Sequence, residues 1–213
     1  LTPFTMKAKI MMQNLWKNNA KDLGWDDVLP NEIQNEWIQF FTEVFDVENV
    51  SFNRCIRPTN ATGKPMLVTF SDASEQAYGT CSYVRWEQAD GSFSSMLLCA
   101  KGRVAPIKKV TIVRLELCAA ITAKRLFVSI QRENRLKFSK AIFVVDSKIV
   151  QAMIHKESYG FKTFVGVRIG EIQMSTEKST WSWTESENNI ADWITRTKSP
   201  SELKENSDWQ TGP

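Results

Sequence analysis

The chain has 213 residues, of which 42% are hydrophobic and 24% charged, with a formal net charge of +3. This is the composition of an ordinary folded protein, with room for one good-sized domain plus an appendage or for two small domains. No apolar stretch approaches the roughly 18 residues that would span a bilayer, so a membrane protein of that kind is excluded.

The opening "LTPFTMKAKIMMQNLWK" mixes lysines with apolar residues at helical spacing and lacks the apolar centre and small-residue cleavage site of a signal peptide. It begins on Leu1 rather than Met, and the chain is expected to be a piece of something longer. Residues 5–20 and 31–46 are expected as amphipathic helices. Ala8, Met11 and Leu15 recur at three- and four-residue steps in the first, and Ile33, Trp37, Phe40, Phe41 and Val44 in the second, with Pro30 at its start. "GWDDVLP" is a loop between them, and "NRCIRPTNATGKP" is rich in turn residues, which places a domain boundary there.

Three strand-like runs follow, Met66–Phe70, Gly79–Trp86 and Phe93–Ala100, the last two joined by a hairpin signal at Asp90-Gly91. "TIVRLELCAAITAKRLFVSIQREN" reads as one long helix with an apolar stripe through Leu115, Cys118, Ala119, Thr122, Leu126 and Ile130. "AIFVV" is a continuous apolar run, as a strand covered on both faces requires. Helices over about 148–156 and 162–174, a strand in "STWSWT" and a short closing helix in "NNIADWITRT" complete the order. Three antiparallel strands followed by strands alternating with helices imply a mixed sheet with helices packed on it.

Cys55, Cys81, Cys99 and Cys118 are widely spaced with no C-x-x-C pair, so no zinc site is expected and reduced intracellular thiols are. Sequons at Asn49 and Asn60 carry little meaning without a secretory signal. Charge is unevenly spread. Residues 1–58 carry a net −2, whereas residues 99–148 hold 12 Lys/Arg against Glu116, Glu133 and Asp146. Such a concentration suits a polyanion partner, and it equally suits a solvated helix face.

Four acids occupy special positions. Asp72 ends the first strand, Glu116 lies in the first turns of the long helix, Asp146 directly follows "AIFVV", and Asp192 opens the closing helix. Carboxylates gathered this way repel one another unless a cation sits among them, and magnesium or manganese takes oxygen ligands. Two such ions activate a water and stabilise the leaving oxygen in phosphodiester cleavage. Each acid also has a local explanation: Asp72 capping a turn, Glu116 solvated on its helix, Asp146 an N-cap, Asp192 favoured by the helix dipole. Spacing alone leaves both open.

The blocks "FSDASEQAYGT", "KGRVAPIKKVTIVRLELCAA", "FVVDSKIVQAMI", "KTFVGVRIGEIQ" and "ENNIADWITR" resemble, in order, the ribonuclease H domain of BEL/Pao-type LTR retrotransposon polyproteins. The resemblance covers about residues 66–199. It implies an α/β, ribonuclease H-like fold, a five-stranded mixed sheet flanked by helices and preceded by a small helical segment. Residues 1–57 resemble the connection after the reverse transcriptase core, 64–199 the ribonuclease H-like domain, and 200–213 a linker toward integrase.

The implied activity is metal-dependent hydrolysis of the RNA strand of RNA–DNA hybrids during reverse transcription. Asp72, Glu116, Asp146 and Asp192 would be both the catalytic set and the ligands of two Mg2+ ions, with Mn2+ as a substitute. A metal-activated water would attack, so no Ser or Cys nucleophile is needed. The implied partners are the hybrid and the reverse transcriptase core of the same polyprotein, with no membrane and no small-molecule cofactor. The expected location is intracellular, in a cytoplasmic virus-like particle or the nucleus.

Lys101, Arg103, Lys108, Lys109 and Arg114 are candidates to meet phosphates beside the metals, and Ser74, Ser147 and Asn189 to meet phosphates or 2′-hydroxyls. "SYGFKTF" is a candidate grip on the DNA strand or ordinary helix packing. Members of the family often carry a His-Val-Pro-like stretch where Trp183-Thr184-Glu185 stands here, Val113 replaces a common proline, and Ala100 a common serine. The only histidine, His155, falls in another helix and is expected at the surface.

Three other readings stand beside this one. A host-adopted or catalytically weak ribonuclease H-like module would act in nucleic-acid or protein binding. An integrase-like transferase would show an Asp, Asp, Glu order, and an aspartic protease an Asp-Thr/Ser-Gly turn.

Overall fold

The computed structural model describes residues 1–18 and 24–213, so the last two positions of the first expected helix lie outside it. Five strands form one sheet: β1 (Ala61–Ala73), β2 (Ala77–Gln88), β3 (Phe93–Val104), β4 (Lys140–Val145) and β5 (Trp181–Trp183). Their order is β3-β2-β1-β4-β5. The first three pair antiparallel, and β4 and β5 run parallel to β1. This is the mixed five-stranded ribonuclease H-like sheet expected from the sequence.

The strands run longer than periodicity shows. β1 opens at Ala61 through an irregular stretch between Thr62 and Met66, where Gly63 has φ +62° and Pro65 cannot donate to the ladder. β1 also runs through Asp72 rather than stopping before it, because Asp72 pairs with Gly79 of β2. Gly91 adopts φ +81°, the left-handed turn conformation that the Asp90-Gly91 pair announces.

Helices cover both faces. On one side lie α3 (Ile112–Glu133), α4 (Lys148–His155) and α5 (Thr163–Gln173). Leu117, Ile121 and Phe127 of α3 meet Leu67, Phe143 and Trp181 of the sheet in one buried cluster. On the other side lie α1 (Thr2–Asn18), α2 (Asn31–Phe45), α6 (Asp192–Arg196) and α7 (Asp208–Thr211). Phe4 and Met6 of α1 and Phe40 of α2 share a second cluster with Tyr83, Ile194 and Trp209. Lys7 and Glu43 join α1 to α2 at 2.7 Å.

Residues 1–57, expected as a separate connection segment, thus supply part of the core on this face. The tail expected as a linker from residue 200 onward is folded too, with Leu203 and Trp209 fully buried. Amphipathic stripes reveal that a helix needs a partner but not which partner it takes.

Two glycines allow this second face to close. Gly79 and Gly102 sit opposite each other on β2 and β3. A Cβ on Gly79 would lie 2.6 Å from the Ile194 side chain, and one on Gly102 would lie 2.7 Å from Met6 and 2.9 Å from Ile194. Only glycine lets α6 and α1 approach the sheet this closely. Among the described residues no helix is long and apolar enough to cross a membrane.

Candidate active site

The parallel pairing of β1 and β4 ends at Ser71 opposite Val145. The next residue of each strand is an aspartate, Asp72 and Asp146, so two carboxylates leave the sheet side by side at its carboxyl end. Neighbouring strands lie about 5 Å apart, which sets the spacing of such a pair. α3 crosses this end in its second turn and brings Glu116 to them. One carboxylate oxygen each of Asp72, Glu116 and Asp146 lie within 4.8 Å of one another.

Their electrostatics are those of acids crowded out of water. Burial raises Asp72 from 3.8 to about 6, aided by the charges of Asp146 and Asp192 and opposed by the Thr195 hydroxyl. Burial raises Glu116 from 4.5 to about 9, aided by Asp72 and Asp146, with the Ala73 N–H working against it. Among the described residues none of the three has a cationic side chain within 4.0 Å. Asp146 Oδ2 accepts from the Ser186 hydroxyl at 3.0 Å, whereas its Oδ1 is buried without a partner. A divalent cation fits this donor set: all ligands are hard oxygens, no counter-charge occupies the centre, and one oxygen is unused.

Asp192 stands apart from the trio. Its Oδ1 pairs with Arg196 Nε at 2.7 Å, one helical turn away on α6. Burial raises its pKa while Arg196 pulls it back, and the charge of Asp146 is near enough to raise it.

The side chains that hold the acids were not singled out in the sequence. Thr195 donates its hydroxyl to Asp72 Oδ2 at 2.5 Å across 123 residues. Its one readable signal is the three-residue step from Asp192, which puts both on one side of α6. Ser186 lies in a short 3₁₀ turn with no sequence signal. Trp183 donates its indole N–H to the Asp146 carbonyl at 2.8 Å. Lys148 lies 4.2 Å from the centre of the Trp183 ring. His155 is at the far end of α4 from Asp146 and is exposed, as expected.

The other candidates divide. Asn189 is 2% exposed, donates to the Ser71 carbonyl at 3.0 Å and accepts from the Ala191 N–H at 3.3 Å. Its amide ties the loop before α6 to β1. Ser74 accepts from the Gln76 and Ala77 N–H groups at 3.2 Å, closing the β1–β2 turn. Ser147 is the N-cap of α4, accepting from Val150 N–H at 3.4 Å, the role that Asp146 was a candidate for. Lys101, Arg103, Lys108, Lys109 and Arg114 are all exposed, running from β3 through the following loop to the start of α3. Of the aromatics in "SYGFKTF", Phe161 and Phe164 pack against the core while Tyr159 is exposed.

Likenesses to solved structures are distant. The N-terminal RNase H domain of a Mycobacterium tuberculosis protein matches at 15% identity and a TM-score of 0.40, covering 62% of this chain and 94% of that one. LC11-RNase H1, from a compost metagenome and solved with an RNA/DNA hybrid, matches at 14% identity and a TM-score of 0.35, over 60% of this chain and 89% of that one. The protease-reverse transcriptase of prototype foamy virus matches at 13% and 0.34, over 76% of this chain and 24% of that one. No curated protein matches the chain. A family model described as the Pao retrotransposon-like RNaseH-like domain, however, matches residues 1–147, from α1 to just beyond Asp146. The chain belongs to the Pao retrotransposon-like RNaseH-like domain family.

Proposed function

We propose that the chain is a metal-dependent ribonuclease H that cuts the RNA strand of RNA–DNA hybrids during reverse transcription of a retrotransposon. The observation that carries this reading is the trio of Asp72, Glu116 and Asp146 within 4.8 Å, with one buried oxygen of Asp146 unpartnered. Mg2+ would be held by these three carboxylates, with Asp192 as the fourth once it releases Arg196. Bound in pairs, such ions activate water and stabilise the leaving oxygen.

The chain's own residues do the placing. β1 and β4 present Asp72 and Asp146 at one level, the Thr195 and Ser186 hydroxyls fix one oxygen of each, and α3 supplies Glu116. The exposed cations from Lys101 to Arg114 lead to the same end of α3 and suit phosphates of a duplex read by shape rather than by base edges. In this reading residues 1–57 connect to a preceding reverse transcriptase core and residues 200–213 lead toward integrase.

The test is a cleavage assay on a labelled hybrid with Mg2+, Mn2+ or EDTA, with double-stranded DNA and double-stranded RNA as controls. Cleavage of the RNA strand in the hybrid alone, lost in EDTA, is expected. Hybrid binding without hydrolysis in either metal would favour a host-adopted binding module instead.

A further inference from the structure

Of the four acids, Asp192 is the one that already has a cation. Arg196 Nε stands 2.7 Å from its Oδ1, one turn along α6, and the arginine side chain is 72% exposed. The contact is a single one. Arg125 shows the alternative elsewhere in the molecule: it grips both oxygens of Glu171, through Nε and Nη2 at 2.8 Å each. An exposed pair at a four-residue step is weak, so the contact of Arg196 with Asp192 opens readily.

The arginine also has somewhere to go. Arg196, Asp192, Glu187, Asn188 and Asp208 line one open cavity of about 480 Å³. Among the described residues neither Glu187 nor Asp208 has a cationic side chain within 4.0 Å. A guanidinium that leaves Asp192 therefore finds free acids on the walls of the cavity it already borders. The trio is built the other way. Thr195 donates to one oxygen of Asp72 and Ser186 to one of Asp146, which leaves Asp146 Oδ1 without a partner. Among the described residues no cationic side chain stands within 4.0 Å of the three.

Charge turns this asymmetry into an order. With all four acids ionised the group carries −4, and Arg196 adds +1. One divalent cation among Asp72, Glu116 and Asp146 leaves −1, whereas a second beside Arg196 leaves +1, so the arginine opposes the second ion far more than the first. We propose that Arg196 sets the order of metal loading: the trio takes one divalent ion with the Asp192–Arg196 pair closed, and Asp192 holds a second only after Arg196 has left it. The proposal rests on the reading of Asp192 as the fourth ligand of the site, and it adds the residue that decides when that site is filled twice.

The test is titration of the whole chain with Mn2+ in the absence of nucleic acid, with free Mn2+ read by electron paramagnetic resonance. The wild-type chain is expected to bind in two steps, the second about tenfold or more weaker than the first. Arg196→Gln should tighten the second step about three- to tenfold and change the first by less than about twofold. Arg196→Lys keeps the charge and should keep the weak second step. No change in Arg196→Gln, or an equal tightening of both steps, would overturn the proposal. So would a second step in Arg196→Lys as tight as that in Arg196→Gln.

Asp192→Asn is the second arm and should lose the second step alone. Both steps unchanged in Asp192→Asn would mean that Arg196 covers no metal ligand, and would overturn the proposal while leaving the trio as a metal site. Wild-type and Arg196→Gln chains that bind no Mn2+ would overturn the loading order and the metal-dependent reading together. Cleavage of a hybrid in Mg2+ is scored separately. Two steps that shift as expected in a chain that never cleaves remove the ribonuclease reading and leave the loading order standing.

Discussion

The Trp183 indole N–H donates to the Asp146 carbonyl at 2.8 Å, so the last residue of β5 fixes the peptide that presents a carboxylate at the end of β4. The Trp183 side chain thus positions the acid through its backbone. Trp183→Phe keeps an aromatic ring beside Lys148 and removes the donor together with part of the ring's bulk. It should cost about 1 kcal/mol in denaturant unfolding and lower hybrid cleavage by up to about tenfold, as loss of a supporting contact around a metal site does. An unchanged rate would show that Asp146 needs no such support.

The raised acids make the metal-free protein sensitive to pH. Folded Asp72 titrates at about 6 and folded Glu116 at about 9, both above their ordinary values chiefly because of burial. Above about pH 4 the unfolded chain has lost these protons while the folded chain retains them. Stability is therefore highest, for these groups, near pH 4 and falls as pH rises toward 9. Thermal midpoints measured in EDTA from pH 5 to 9 should decline, and the gain from adding Mg2+ should grow over the same range. A flat profile in EDTA would contradict the burial of these carboxylates.

Glu116→Gln separates stability from activity. A neutral amide of the same shape removes the cost of keeping a proton on a buried acid. The variant should be more stable than wild type by about 1–3 kcal/mol at pH 8 in EDTA, raising the midpoint by several degrees, while cleavage is lost. A less stable variant would mean that Glu116 is held by favourable contacts rather than crowded.

Met6→Ala tests whether the first helix belongs to the fold. Met6 is fully buried and would touch any Cβ placed on Gly102. Its truncation should cost about 2–5 kcal/mol, the range for a buried large-to-small change. A loss below about 0.5 kcal/mol would show that α1 lies loosely on the sheet.

Much of this was legible in the sequence, and the reasons are local. Apolar runs ending in Asp72 and Asp146 marked two strands carrying acids at one end, and the stripe of the long helix left Glu116 at its edge. What joins distant segments was not legible. Thr195 reaches Asp72 across 123 residues, and nothing in "DWITR" names its target. Asn189 sits in the polar run "ESENN" and reads as exposed, but the loop folds inward and spends the amide on the Ser71 carbonyl. The pairing of Asp192 with Arg196 follows from a four-residue step, a spacing that allows an ion pair without showing that it forms. The packing of α1 and α6 on one face depends on Gly79 and Gly102, whose need for closeness appears only when Ile194 and Met6 are set against them.

The most direct measurement is RNA-strand cleavage of a labelled hybrid in Mg2+ by Asp146→Asn beside the wild-type chain. The substitution keeps an oxygen to accept from Ser186 and removes the charge among Asp72 and Glu116. Loss of cleavage by about three orders of magnitude or more, with folding retained by circular dichroism, is the result expected of a site built on these carboxylates. Cleavage at the wild-type rate would contradict it.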